Sequence, residues 1–110
     1  MVAVVRDLFF VARIRETARM AQVPIVFART PEEVEQVASP SSAFALVDLT
    51  SGLDYEAIFS LLERSQVPVL AFTTHALARQ TQPWHARCRR VVTKETLTRE
   101  LGALLQKGPA

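Results

Sequence analysis

The chain has 110 residues, of which 49% are hydrophobic and 22% charged, and its formal net charge at pH 7 is +2. These values are typical of one globular domain and exclude a disordered chain, which would contain fewer apolar residues. No apolar run approaches the roughly 18 residues of a membrane-spanning helix, and Arg6 and Asp7 come too early for a signal-peptide core. Because Cys88 is the single cysteine, no internal disulfide can form, and we expect a protein of the reducing cytoplasm.

Runs of β-branched and aliphatic residues alternate with segments of helical periodicity along the chain. The predicted strands, each expected to be buried on both faces, are Val2–Val5, Val23–Phe27, Phe44–Leu49, Val67–Phe72 and Arg90–Thr93. Apolar stripes at helical spacing lie between them, at Val11, Ile14, Ala18 and Ala21, at Tyr55, Ile58, Phe59 and Leu62, and at Leu97, Leu101, Leu104 and Leu105. This alternation predicts an α/β fold, a single-domain three-layer (βα)5 sandwich with helices on both faces of a parallel five-stranded sheet.

Capping signals mark the helix boundaries. Thr30, Pro31 and Glu33 form the pattern of a capping box at the start of the second helix. The remaining predicted boundaries are an N-cap at Asp54, an N-cap at Thr73 or Thr74, an end or kink at Pro83, and one last helix between Thr93 and Gly108.

Polar residues follow four of the predicted strands. They are Arg6 and Asp7 after the first, Asp48 to Gly52 after the third, Thr73 to His75 after the fourth, and Thr93 and Lys94 after the fifth. Ligands of open parallel sheets bind beyond the carboxyl ends of the strands, so we expect a functional site at this edge. The alternative for each residue is that it only marks where a strand leaves the core.

Five βα units with these strand ends resemble the receiver domain of bacterial response regulators. The resemblance covers nearly the whole chain, and the segments DLFF (7–10), LVDL (46–49) and VPVLAFTTH (67–75) are similar to small stand-alone receiver-like proteins. It implies a flavodoxin-like strand order 2-1-3-4-5. It also implies Asp48 as the phosphoacceptor, Asp7 as an acid of a Mg²⁺ site shared with Asp48, Thr73 as the hydroxyl that contacts the phosphoryl group, and Lys94 as its lysine partner.

The sequence departs from the receiver pattern at the first strand end. Receivers carry two adjacent acids there, whereas this chain has Arg6 before Asp7, and Lys94 comes one place later than the family lysine. A guanidinium cannot coordinate a cation, and it could pair with Asp48 or Asp7 in place of the metal. We therefore predict weakened or lost Mg²⁺ binding and phosphotransfer. The alternative is that Arg6 points to solvent.

Other chemistries find little support in the sequence. His85 and Cys88 have a spacing that zinc tolerates, but no second pair accompanies them, and His75 stands alone beside the predicted edge. The chain has three glycines and no P-loop, G-x-G-x-x-G or G-x-S-x-G motif. The loop at 7–10 is acidic and apolar, unlike a flavin phosphate loop. We expect a protein that is not an enzyme.

Two surface features suggest partner contacts. Arg87, Arg89, Arg90 and Lys94 form a basic cluster around the fifth strand, on the face that receivers use for dimerisation and docking. This cluster could bind an acidic protein partner or, as the less favoured choice, nucleic acid. The alternative is that these side chains are only solvated at the edge of the strand. We expect Phe9 or Phe10 to pack under the first helix while the other is exposed, and Trp84 is a second candidate for an exposed aromatic residue.

The favoured interpretation is a stand-alone atypical receiver module in signalling. It would act through contact with a protein partner, either a kinase or an effector. It could also form a homodimer through the face made by the fourth helix, the fifth strand and the last helix. One alternative is a single-domain response regulator that does accept a phosphoryl group on Asp48. Another is a small-ligand-binding flavodoxin-like domain.

Overall fold

Residues 1–109 are described by a computed structural model, in which strands and helices alternate as predicted. The strands are β1 (Val2–Val4), β2 (Val26–Ala28), β3 (Ala45–Asp48), β4 (Val69–Thr73) and β5 (Arg90–Thr93). The helices are α1 (Leu8–Met20), α2 (Pro31–Val37), α3 (Tyr55–Arg64), α4 (Ala78–His85), α5 (Lys94–Arg99) and α6 (Leu101–Lys107). Within these residues, no helix is both long and apolar enough to cross a bilayer.

The five strands form one sheet in the order β2-β1-β3-β4-β5, and every neighbouring pair is parallel. This confirms the α/β, flavodoxin-like arrangement. The register places Asp48 beside Phe72 and Thr73 beside Thr93. The carboxyl ends of β3, β4 and β5 therefore meet at one edge of the sheet.

Two apolar cores lie on opposite faces of the sheet, because side chains alternate along each strand. Ala3 and Val5 point into the core formed with α1, α5 and α6, which includes Phe10, Ile14, Leu97 and Leu104. Val2 and Val4 point into the core formed with α2 and α3, which includes Val34, Ile58, Phe59 and Leu62. The three predicted stripes thus supply most of the inward-facing helical residues.

The two edge strands are less buried than predicted. Val26 of β2 is 46% exposed, and Arg90 of β5 is also exposed, so the prediction that both strands are buried on both faces is wrong. Each edge strand has a sheet neighbour on one side only, whereas β1, β3 and β4 are buried at every position.

The predicted caps at Thr30 and Asp54 are present, and Thr93, which was predicted to precede the last helix, caps α5. Thr30 Oγ1 accepts a hydrogen bond from Glu33 N (3.2 Å), Asp54 Oδ1 from Ala57 N (3.3 Å), and Thr93 Oγ1 from Thr96 N (3.1 Å). The Glu33 carboxylate completes the first cap by accepting from the backbone N–H of Arg29 (2.7 Å). Local side-chain spacing is therefore sufficient to start α2, α3 and α5.

The start of α4 differs from the prediction. This helix begins after Leu77, and its N-cap residue has no side-chain capping bond. Thr74 Oγ1 instead accepts from Leu77 N at 3.2 Å and closes a turn before the helix. Pro83 lies inside α4, which continues to His85, so the proline precedes the final helical turn.

The predicted last helix is divided into α5 and α6. The division is at Glu100, where φ is −112° and ψ is 21°. Leu97, Leu101, Leu104 and Leu105 are nevertheless all buried in one core. Their common apolar spacing identified the core positions without revealing the break.

Helices α1 and α3 end in the same backbone motif. Gln22 and Gln66 adopt left-handed conformations with φ of 57° and 58°. In each case the next residue bonds back into the helix, Val23 N to Ala18 O (2.9 Å) and Val67 N to Leu62 O (2.9 Å). This is the Schellman motif, which places the following strand against the helix that precedes it.

Candidate functional site at the carboxyl edge of the sheet

Asp48 is the last residue of β3 and is 3% exposed. Its Oδ1 accepts hydrogen bonds from Thr50 N (2.8 Å) and Thr50 Oγ1 (2.6 Å), and its Oδ2 accepts one from Ser51 Oγ (2.5 Å). Both carboxylate oxygens are therefore bonded to the loop that follows the strand. These bonds satisfy a buried charge that would otherwise be costly.

Tyr55 fastens the same loop from the first turn of α3. Its hydroxyl donates to the Asp48 carbonyl oxygen (2.7 Å) and accepts from Ser51 N (3.1 Å). Burial raises the pKa of Tyr55, and the nearby Asp48 charge contributes in the same direction. The phenol thus remains protonated and keeps its donor bond at neutral pH.

Arg6 does not replace a metal in the predicted way. Its guanidinium is exposed and Nη1 lies 3.4 Å from the Ser51 carbonyl oxygen. Among the ion pairs of residues 1–109, none joins Arg6 to Asp48 or Asp7. The predicted carboxylate pairing is therefore wrong, because Thr50 and Ser51 already occupy the Asp48 oxygens.

Asp7 and Lys94 form a separate group at the same edge of the sheet. Asp7 caps α1 by accepting from Phe9 N (2.9 Å) and Phe10 N (3.2 Å). Lys94 Nζ lies 3.8 Å from Asp7 Oδ2 and 4.9 Å from the centre of the Phe10 ring. The lysine thus contacts Asp7 and an aromatic face, while the Asp48 carboxylate has other partners.

Thr73 belongs to a third group, which includes two residues of α4. Thr81 is buried and donates to Thr73 Oγ1 at 2.9 Å. His85 Nε2 lies 2.8 Å from Thr81 Oγ1. The Thr73 and Thr81 hydroxyls and the His85 imidazole thus form one hydrogen-bonded chain between β4 and α4. The Thr73 hydroxyl is therefore held toward α4.

The predicted site residues share one edge but not one pocket. In the described part of the chain, no hydrogen bond or ion pair links Asp48 to Asp7, Thr73 or Lys94.

The oxygen atoms of these residues also do not fit Mg²⁺, which prefers several free oxygen ligands and water. Asp48 accepts from loop hydroxyls, Asp7 accepts from helix N–H groups, and Arg6 stands where a second acid would be needed. Across residues 1–109, no three His, Cys, Asp or Glu side chains form a metal-binding group.

The basic cluster predicted around β5 is dispersed. Arg87 pairs with Glu56 and Glu63 of α3, both at 2.7 Å, and lies over the Phe59 ring. Arg89 lines a cavity of about 470 Å³ at the amino edge of the sheet, Arg90 is exposed on β5, and Lys94 lies at the carboxyl edge. These four cations do not form one surface.

The remaining candidates of the sequence analysis, two phenylalanines, Trp84, Cys88 and His75, lie in the core or on the surface. Phe10 is 6% exposed and Phe9 92%, which confirms that one packs in the core and the other faces solvent. Trp84 is half-buried, with its ring parallel to Phe59 at 5.8 Å, so the prediction of an exposed aromatic residue is wrong. Cys88 Sγ donates to the Trp84 carbonyl oxygen at 3.3 Å, and His75 is exposed.

Sequence reasoning did not identify Thr50, Ser51 and Thr81 as partners of the site residues. Hydroxyl residues two and three places after an Asp commonly fold back onto it, so D-x-T-S at 48–51 carries a usable signal. Thr81 and His85 are one helical turn apart, which is the spacing for a side-chain contact. The contact between Thr81 and Thr73 has no comparable local signal.

No protein-family model matches this chain, and comparisons with curated proteins and with solved structures gave no significant match.

Proposed function

We propose that this protein is an atypical receiver-like signalling module that acts through protein–protein contact and does not use Asp48 as a phosphoacceptor. The proposal rests on the flavodoxin-like sheet with Asp48 at the end of its central strand β3. The observation that carries it is the environment of this carboxylate, which is 3% exposed with both oxygens hydrogen-bonded to its own loop.

Phosphoryl transfer to Asp48 would require a different arrangement. A carboxylate oxygen must reach the phosphorus atom in line with the leaving group, and cations must neutralise the charge that develops. Freeing Oδ1 or Oδ2 breaks hydrogen bonds to a charged group, each of which contributes about 1.5–3 kcal/mol. Lys94 is 3.8 Å from Asp7, so it supplies its charge elsewhere. These contacts favour a structural role for Asp48.

The contact role is supported by apolar side chains at the same edge. Leu8 and Phe9 are 71% and 92% exposed at the start of α1. Large apolar groups that remain in water at one place on a domain commonly mark an interaction surface. The edge thus combines a closed Asp48 loop with an exposed surface for a partner.

Trp84 provides a direct test of the closed loop. Its ring lies 5.7 Å from that of Tyr55, whose hydroxyl is bonded to Asp48, so opening of the loop should change its fluorescence. We expect no saturable change when Mg²⁺ and beryllofluoride, a phosphoryl mimic, are titrated into the protein. The amide resonances of Thr50 and Ser51 should also stay in place.

The matched control is Asp48→Asn, which retains the shape of the side chain but cannot bind the mimic. We expect wild type and variant to give the same flat response. A saturable change in wild type that is absent from the variant would show that Asp48 is a working acceptor and would overturn the proposal.

A further inference from the structure

The exposed apolar residues of α1 lie beside a groove. Val5, Val11 and Phe27 line a cavity of about 230 Å³ between α1 and β2, and Leu8 stands at its rim. Arg15 lies over the Phe27 ring, with Cζ 4.9 Å from the ring centre. A second cavity, of about 410 Å³, adjoins the first through Arg29 and Glu33 and extends to Arg6. The groove offers apolar walls with cations beside them.

Four arginines surround these apolar residues. Arg15 and Arg29 line the first cavity with Leu8, Arg6 lines the second, and Arg13 follows Phe9 by one helical turn. In the part of the chain that the structure describes, none of the four forms an ion pair, whereas Arg19 and Arg87 both do. We call Leu8, Phe9 and these four arginines the α1 patch.

The carboxylates nearest to the groove already have backbone partners. Glu33 accepts from Arg29 N at 2.7 Å, and Asp54 accepts from Ala57 N at 3.3 Å. Both acids therefore serve as caps of α2 and α3. Arg6 has one long contact, to the Ser51 carbonyl oxygen at 3.4 Å, and Arg15 lies over the Phe27 ring. Neither guanidinium is paired with a carboxylate, so an incoming carboxylate could pair with it bidentately.

We propose that the α1 patch binds an acidic, amphipathic segment of a partner protein. An apolar side chain of that segment would enter the groove beside Leu8 and Phe9, and its carboxylates would pair with the four arginines. Charge complementarity carries this choice. The proposal rests on the contact-based function proposed above and adds the chemistry of the partner.

Two other occupants agree less well with the patch. A second copy of the chain packed through the same surface would place arginines against arginines, because a two-fold interface brings each patch onto itself. A membrane surface would attract the arginines but could not fill a concave groove between α1 and β2. A peptide segment satisfies both the charge and the shape.

Selection from a displayed library of short random peptides tests the proposal and does not require an identified partner protein. The protein is the bait, and the double variant Leu8→Ser/Phe9→Ser is used for counter-selection. We expect the enriched peptides to be rich in Asp and Glu around at least one large apolar residue. On binding, they should shift the amide resonances of α1 and of residues 29–33.

Charge variants then measure the contribution of the arginines. Arg15→Glu/Arg29→Glu should weaken binding of an enriched peptide by at least about tenfold, the loss typical of an important interface contact. Arg79→Glu and Met20→Ser change exposed residues elsewhere and should leave the affinity unchanged. Unaltered circular dichroism would show that each variant is folded.

Three results would overturn the proposal. Enriched peptides could lack acidic residues, no peptide could survive counter-selection against the Leu8→Ser/Phe9→Ser variant, or the protein could bind anionic phosphatidylserine vesicles in a Phe9-dependent manner. None of these results affects the beryllofluoride test at Asp48. The docking proposal and the proposed function can therefore fail separately.

Discussion

The Asp48 carboxylate ties the β3–α3 loop to the end of its strand. Three hydrogen bonds from Thr50 and Ser51 reach its two oxygens, and Tyr55 fastens the adjacent backbone. A carboxylate in this position fixes the loop because both of its oxygens accept hydrogen bonds from that loop. Under the proposed function, the same contacts withhold the carboxylate from a phosphoryl donor.

Removal of the Asp48 carboxylate should destabilise the fold. We expect Asp48→Ala to lower the free energy of unfolding by about 1–3 kcal/mol, because the Thr50 and Ser51 groups lose their buried partner. Asp54→Asn is the matched control: this exposed N-cap accepts well as Asn and should change stability by less than about 0.5 kcal/mol. Urea unfolding measures both, and an Asp48→Ala protein as stable as wild type would contradict the structural role.

The thiol of Cys88 should react slowly. Burial raises its pKa from 9.0 to about 11, so at pH 8 the thiolate fraction is about a hundredfold lower than that of the unshifted thiol. We expect slow alkylation by iodoacetamide in the native protein and fast alkylation in urea. Equal rates in the two states would contradict the buried position.

The same shift has a consequence for stability. Because the pKa is higher in the folded state, unfolding becomes more favourable as pH rises through the window between 9.0 and about 11. Cys88→Ser removes this titration. We expect the variant to lose less stability than wild type across that window, as measured by urea unfolding at each pH.

At the scale of elements, α1 and α3 end in Schellman motifs that hold glutamine in the left-handed region. Glycine adopts this conformation without the steric cost that a Cβ imposes. The two helix ends have nearly the same sequence, AQVP at 21–24 and SQVP at 65–68. Both segments end a helix and lead into the next strand, and hydrophobic periodicity does not reveal this shared role.

Replacement of either glutamine by glycine should stabilise the protein. We expect Gln22→Gly and Gln66→Gly each to raise the free energy of unfolding by about 0.5–1 kcal/mol, after the greater freedom of glycine in the unfolded chain is included. The alanine variants retain a Cβ and should remain near wild type. A glycine variant no more stable than its alanine counterpart would show that the left-handed conformation costs little here.

The sequence predicted elements better than it predicted their boundaries. Thr30, Asp54 and Thr93 carry local capping chemistry, and each cap is present. The break at Glu100 was missed because Leu97 and Leu101 continue one apolar stripe across it. Gly102, a weak helix former, lies two residues after Glu100 and is a local feature that could have indicated the break.

At the scale of the whole molecule, strand alternation and connection rules made the sheet predictable. They also placed Asp48, Thr73 and Lys94 at the same edge. The side-chain partners of Asp48 were not predictable from these rules, because Asp48 bonds to groups of its own loop. Thr50 and Ser51 lie closer along the chain to Asp48 than any residue of another strand, and the structure shows that they bind it.

The separation of Arg87 from Lys94 has the same origin. Arg87 pairs with α3 and lies over Phe59 of one core, whereas Lys94 lies over Phe10 of the core on the other face of the sheet. A cluster that is compact in sequence is therefore divided between the two faces of the sheet. The arginines that line the adjoining cavities of the groove, Arg6, Arg15 and Arg29, come from three different segments of the chain.

The central claim is that Asp48 anchors its loop and does not accept a phosphoryl group. The most direct measurement is the intact mass of the protein after incubation with acetyl phosphate and Mg²⁺, with Asp48→Asn treated in parallel. We predict that wild type carries no more phosphate than the variant. Stoichiometric labelling of wild type that depends on Mg²⁺ and is lost in Asp48→Asn would contradict the account.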